Sequence, residues 1–293
     1  MFNKDTHGAF LQILRDLAEH GVECSPRGLK VKELRNYSYT LPPRVRFMCF
    51  NHRKLKLDYI KQELLWYLRG DRRDISIKHV AKMWDGLINI DGTINSNYGY
   101  YLFNAEAGDG KRSNFERVIN ELRADPDSRR AVICILGNEH LNSVTKDYPC
   151  TGYLNFHIRD EHLHMSVRMR SQDAIFGMGN DAPCFSLVHE LLWCELRAFM
   201  PFLKLGDYHH SADSFHVYER HYQMLANILA DPVVTVDHHD ACPKMDGPLL
   251  YNELKTASYY AGKESLENLT LWPFTRWLLT RDDPSTLVPM ETA

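Results

Sequence analysis

The chain predicts an α+β fold, and three patterns carry that expectation. Residues 153–158 and 163–169 alternate apolar and polar side chains on either side of a short polar turn, the period of a β-hairpin. Residues 7–19 and 59–68 space their apolar side chains at helical intervals. A longer segment, 181–199, is apolar over most of its surface and belongs in the core. Helices laid over one side of a sheet give the α+β class.

Taken in order, His7 to Glu19 sets Phe10, Leu11, Ile13, Leu14 and Leu17 on a helix. Ser25-Pro-Arg27-Gly28 is a loop, followed by a strand that ends at Pro42-Pro43. Tyr59 to Leu68 places Ile60, Leu64, Leu65 and Leu68 on a second helix. Asn114 to Arg123 forms a third, closed by Asp125-Pro126, and Ala131 to Leu136 is a strand. In the hairpin Leu154, Phe156 and Ile158 share a face, as do Leu163, Met165, Val167 and Met169 on the partner strand, so Arg168 and Arg170 project from the opposite face. The Asp181 to Phe199 helix follows, and residues 240–293 read as helices and loops. With no repeat, low-complexity stretch or Gly/Ser/Pro-rich linker, residues 1–293 read as a single domain.

Hydrophobic content of 44% and charged content of 25% are those of a soluble globular protein. A net charge of -3 gives no electrostatic case for a nucleic-acid polymer as partner. A small anion held by a local arginine cluster remains compatible with it. Seven cysteines, odd in number and several in apolar surroundings, read as reduced thiols of a cytoplasmic protein. No apolar run reaches bilayer length and the first residues have no signal-peptide core, so no membrane is expected. His238-His239-Asp240-Ala241-Cys242 has no second pair at ligand spacing nearby, and no metal is expected.

Four blocks hold residue types suited to nucleotide chemistry. Cys150 follows Tyr148-Pro149 in a polar stretch, where a thiol lowered by arginines serves as a nucleophile; the plainer reading is a structural cysteine. Arg129 and Arg130 follow a turn and suit phosphate, or else form a solvated charged turn. Asp181 precedes Ala182-Pro183 and reads as a helix N-cap, compatible with a second role against a base. His216 and Tyr218, two apart, share a strand face and reach a sugar together, or are satisfied buried polar groups. Glu63 is the polar member of an apolar helical stretch, where burial would raise its pKa for proton transfer.

In this order and spacing, the blocks resemble the thymidylate synthase superfamily from about Arg27 to Tyr218, supported by Glu63-Leu-Leu-Trp-Tyr-Leu-Arg-Gly70, Met83-Trp84-Asp85 and Asn97-Tyr98-Gly99. The resemblance implies a mixed sheet covered by helices and a homodimer with shared sites. It makes Cys150 the nucleophile and puts Arg27, Arg170 and Ser171 on a 5′-phosphate, joined by Arg129 and Arg130 from the other subunit. It also assigns His216 and Tyr218 to the sugar, Asp173 and Trp84 to the folate co-substrate, and Glu63 and Tyr98 to proton transfer.

One departure bears on the substrate. The superfamily's synthases carry an asparagine eight residues after the aspartate of the Arg-Ser-x-Asp block, and here that position is Asp181. A carboxylate accepts from the 4-amino group of cytosine, where an amide matches uracil. With Ile94-Asn-Ser-Asn-Tyr-Gly99, Phe176-Gly177 and His216-Val-Tyr218, the chain is similar to the phage deoxycytidylate and antibiotic-pathway cytidylate hydroxymethylases. Thr151 in place of a histidine and an ending, Val288 to Ala293, without an apolar terminus imply a wetter site, suited to water as the final nucleophile. The implied reaction converts dCMP or CMP, 5,10-methylenetetrahydrofolate and water to the 5-hydroxymethyl nucleotide and tetrahydrofolate. A thymidylate synthase acting on dUMP and a non-catalytic nucleotide-binding member are the alternatives.

Overall fold

A computed structural model describes residues 4–141, 144–247, 250–261 and 271–280; Val288 to Ala293 lie outside them. Among the described residues, seven strands form one mixed sheet: β1 (Val22–Cys24), β2 (Val31–Leu41), β3 (Val132–Cys134), β4 (Thr151–Arg159), β5 (His162–Met169), β6 (Gln172–Asp173) and β7 (Lys204–Tyr218). Their order is β1-β2-β7-β5-β4-β3, with β6 beside β7. The β5–β7 and β6–β7 pairs are parallel and the rest antiparallel. The helices are α1 (Lys4–His20), α2 (Leu57–Arg69), α3 (Tyr98–Phe103), α4 (Asn114–Ala124), α5 (Gly177–Arg197), α6 (Tyr222–Ala230), α7 (Leu250–Tyr260) and α8 (Pro273–Leu279).

The β4–β5 hairpin forms where alternation places it. Asp160 and Glu161 have φ of 49° and 62°, the two left-handed residues that a tight turn between twisted strands requires. Leu154, Phe156, Leu163 and Met165 are fully buried beneath it. α5 lies on that face, apolar nearly all round, and continuous packing joins it to Phe10 and Leu14 of α1, Leu64 and Trp66 of α2, and Leu254 of α7. The sheet's other face carries His157, His164, His209 and Arg168, all partly exposed, with Arg168 paired to Asp213. No helix among the described residues is long and apolar enough to cross a membrane.

Two expected boundaries move. The strand read over 131–136 pairs only at Val132–Cys134, because the N–H groups of Ile135 and Leu136 both turn to the carbonyl of Gly152, beside a register shift in β4. The helix expected to begin at Asp181 begins at Gly177, leaving Pro183 inside it. The Asp-Ala-Pro order imitates a helix start, and the residue that meets the first free N–H groups lies upstream.

Candidate functional site

Cys150 ends the loop leading into β4, and that loop is held from two directions. Asp147 accepts from the Ser96 N–H and hydroxyl, both at 2.6 Å, while Asn95 Nδ2 donates to the Asp147 carbonyl at 2.9 Å. Arg170, just past β5, gives its backbone N–H to the Cys150 carbonyl at 2.8 Å, with Nε and Nη2 on the carbonyls of Pro149 (3.1 Å) and Tyr148 (2.9 Å). Burial pushes the Cys150 thiol up, and Arg170 and Arg27 only partly offset it. The two arginines do pull the thiol down, and desolvation outweighs them in the free chain.

A polar wall rises opposite. Tyr59, Glu63 and Tyr67 recur every four residues and so share one face of α2. Tyr67 donates to Glu63 Oε1 at 3.2 Å, the Cys184 thiol of α5 approaches Oε2 at 3.6 Å, and Trp84 Nε1 donates to the Tyr59 hydroxyl at 3.2 Å. A side chain on Gly99 would sit 1.8 Å from the Tyr67 carbonyl oxygen. Glycine there lets α3 close on α2, bringing Tyr98 within 5.7 Å of the Tyr67 ring and onto Phe185. Burial lifts Glu63 to about 7. It also lifts the Tyr98 phenol, with Cys150 and Asp181 adding repulsion, so the phenol stays protonated. Lys61, two residues from Glu63, faces away, into a cavity of about 560 Å³ shared with Leu57, Trp277 and Arg276.

Two carboxyls eight residues apart have contrasting surroundings. Asp173 accepts from the backbone N–H groups of Ile175 (3.2 Å), Phe176 (3.0 Å) and Gly177 (3.4 Å), which makes it the residue that starts α5. The capping role expected of Asp181 belongs to Asp173. Asp181, in the second turn, takes one hydrogen bond, from Gln172 Nε2 at 3.4 Å. It keeps partial solvent access but is densely enclosed. Enclosure first, then nearby Glu63, holds its carboxyl well above the usual range. Arg53 locks the same turn, donating to the Ile175 carbonyl (2.9 Å) and Asn180 Oδ1 (3.0 Å).

A cationic and aromatic rim completes the group. Arg27 sits in a left-handed turn, φ 53°, fixed beside the end of β7 by the Glu219 N–H bond to Lys30. His216 and Tyr218 share a β7 face with rings 5.0 Å apart. Ser171 is partly exposed between β5 and β6. Arg129 and Arg130 are exposed before β3, and the cations that act on Cys150 are Arg170 and Arg27 rather than this pair. The fold thus gathers Cys150, Glu63, Tyr98, Asp181, Arg170, Arg27, Asp173, His216 and Tyr218, and leaves that pair outside.

Sequence reading passed over Asp147, Gln172, Cys184 and Tyr67. Tyr67 was visible as the residue four after Glu63, whereas the others carry no local signal. It also did not foresee that His7, from α1, joins Asp237 and His239 in a group of metal-ligand types. His239 Nε2 accepts from the N–H groups of Phe47 (2.9 Å) and Arg46 (3.1 Å), so Nδ1 carries the proton that meets Asp237 at 2.6 Å. Both ring nitrogens are occupied, which suits a structural hydrogen-bond group rather than a ligand set.

The model of the thymidylate synthase family matches residues 8–241. The thymidylate synthase of Coxiella burnetii is 26% identical over 224 residues, covering 75% of this chain and 83% of the relative. The deoxycytidylate 5-hydroxymethyltransferase of enterobacteria phage T6 is 29% identical over 178 residues, covering 57% of this chain and 70% of that protein. With the family pattern spanning most of its length and a cysteine, acids and arginines converging on one site, the chain belongs to the thymidylate synthase family.

Proposed function

We propose that this protein is a pyrimidine-nucleotide 5-hydroxymethyltransferase, converting dCMP (or CMP), 5,10-methylenetetrahydrofolate and water to the 5-hydroxymethyl nucleotide and tetrahydrofolate. The observation that carries this reading is Asp181: a carboxyl whose enclosure favours its protonated form, beside the cysteine and the acid of the site. A protonated carboxyl presents one O–H and one carbonyl oxygen, and cytosine presents N3 as acceptor and its 4-amino group as donor. When Cys150 adds to C6 as the thiolate, its own proton released to solvent, electron density moves to N3 and the Asp181 proton passes to it. The carboxylate left behind accepts from both N3–H and N4–H, so stabilisation grows toward the adduct, as catalysis requires.

Glu63, titrating near neutrality, and Tyr98, a neutral phenol, are the groups this reading assigns to removal of the C5 proton. Arg27, Arg170 and Ser171 hold the 5′-phosphate, with Arg129 and Arg130 supplied by a second copy in a homodimer; their exposure fits that role. His216 and Tyr218 hold the sugar. The folate co-substrate supplies the one-carbon unit at the oxidation level of formaldehyde. Asp173 and Trp84 are its contacts, and the neighbourhood suits a ring with hydrogen-bonding edges: His221 Nδ1 is buried with no partner among the described residues, 4.9 Å ring to ring from Phe176. The reading takes the whole chain as one cytoplasmic catalytic unit, with dCMP as substrate on its likeness to the phage protein.

The test is product analysis with dCMP, CMP and dUMP, each supplied with the folate. A gain of CH2O on dCMP without dihydrofolate absorbance is expected. A gain of CH2 on dUMP with that absorbance would make the protein a thymidylate synthase. Equal release of tritium from 5-labelled dCMP by wild type and Cys150→Ala would make it a binding protein.

A further inference from the structure

We propose that Gln172 fixes which oxygen of Asp181 carries the proton, and that this order of donor and acceptor sets the preference for cytosine over uracil. The inference rests on the reading of Asp181 as the group facing the base. Gln172 is 2% exposed, on β6, at the unassigned place of the Arg-Ser-x-Asp block. The Tyr39 hydroxyl, from β2, donates to Gln172 Oε1 at 3.2 Å, and Gln172 Nε2 donates to Asp181 Oδ2 at 3.4 Å. Tyr39 is itself buried, stacked on His210 at 4.9 Å, so its hydroxyl is held in place. Being a phenol deep in the protein, it stays protonated and available as donor. With its oxygen engaged by Tyr39, the Gln172 amide turns its NH2 toward Asp181.

The consequence is chemical. A free carboxyl moves its proton between oxygens and pairs equally well with cytosine (acceptor N3, donor N4) and with uracil (donor N3, acceptor O4). A donor aimed at Oδ2 makes that oxygen the acceptor and leaves the proton on Oδ1. Oδ2 then meets the exocyclic amine, and Oδ1 delivers its proton to N3. Uracil, with the reverse order, meets donor against donor and acceptor against acceptor. Gln172 is thus a positioning residue acting through Asp181, and Tyr39 positions Gln172.

The measurement is equilibrium binding of dCMP and of dUMP to the full chain, alongside kcat/KM for each, in wild type, Gln172→Met, Tyr39→Phe and Asp181→Asn. Gln172→Met removes the donor at similar length, and Tyr39→Phe removes only a hydroxyl. Each is expected to lower the dCMP:dUMP ratio about tenfold, in binding as well as in turnover. A loss of affinity equal for both nucleotides would assign the pair a purely structural role and overturn the proposal. Should Gln172→Met fail to fold, Tyr39→Phe decides alone. If Asp181→Asn keeps the wild-type ratio, the reading of Asp181 fails. If Asp181→Asn inverts the ratio while the other two variants leave it unchanged, only this inference fails.

Discussion

On one side of Cys150 stand acids and phenols of α2, α3 and α5, deeply enclosed and sparingly hydrogen-bonded. On the other stand Arg170 and Arg27, resting on backbone carbonyls or open to solvent, while Arg129 and Arg130 lie apart, exposed before β3. Glu63 has two phenols, Tyr67 and Tyr59, and one thiol for partners, and Asp181 a single amide. Arg170 has two carbonyls, and Arg27, Arg129 and Arg130 face water. Enclosure makes the first group chemically useful, because groups that titrate near neutrality or stay protonated can pass protons. The same enclosure costs stability. The arginines cost little when empty and recover their interactions when a phosphate arrives.

The largest expected effect lies where the two regions meet. Cys150→Ala should reduce release of C5 tritium from dCMP by at least about 10⁴-fold, the scale of removing a nucleophile, measured under single-turnover conditions; a loss under tenfold would remove Cys150 from the chemistry. Next, Arg129→Ala combined with Arg130→Ala should cut kcat/KM by roughly 100-fold or more, since each charged phosphate bond is worth about 1.5–3 kcal/mol. Mixing that double variant with Cys150→Ala should restore activity, because a mixed dimer has one site with both the thiol and the partner's arginines intact. No recovery would place those arginines outside a shared site.

Enclosure gives the third prediction. Glu63 holds its proton to about pH 7 in the folded chain, against an ordinary value of 4.5. Between those values the unfolded chain ionises while the folded chain does not, so stability present below pH 4.5 is lost as pH rises through 7. The full cost is roughly 3 kcal/mol. Glu63→Gln should therefore raise unfolding free energy at pH 8 by on the order of that amount and little at pH 4.5, read by urea denaturation. An equal change at both values would mean that Glu63 is not held neutral. The smallest effect belongs to the solvated carboxyl: Asp173→Ala should cost about 1 kcal/mol, the worth of a helix cap, seen as a lower urea midpoint with an unchanged slope.

How far the sequence disclosed all this follows from the range of the forces involved. The β4–β5 hairpin, α1, α2 and α4 follow from periodicity and local turn chemistry, since Asp160-Glu161 or Ser113 with Glu116 act over three or four residues. The start of α5 does not. Asp181-Ala-Pro183 is locally a good helix start, and what overrides it is Asp173, held by the β6–β7 pairing next to His216. The net direction at the Cys150 thiol was hidden for a similar reason, because sequence shows arginines nearby and cannot show how much water is removed. Gln172 and Asp147 were invisible because their partners, Tyr39 and Ser96, lie far away along the chain.

Whether the carboxyl at 181 selects the base is tested most directly by the ratio of kcat/KM for dCMP to that for dUMP in wild type and Asp181→Asn. A bidentate match of donors and acceptors is worth about 1–3 kcal/mol, so the ratio should fall by roughly 10- to 100-fold and dUMP should become the better substrate. An unchanged ratio would contradict the account, leaving Asp181 a buried acid with no hold on the nucleobase.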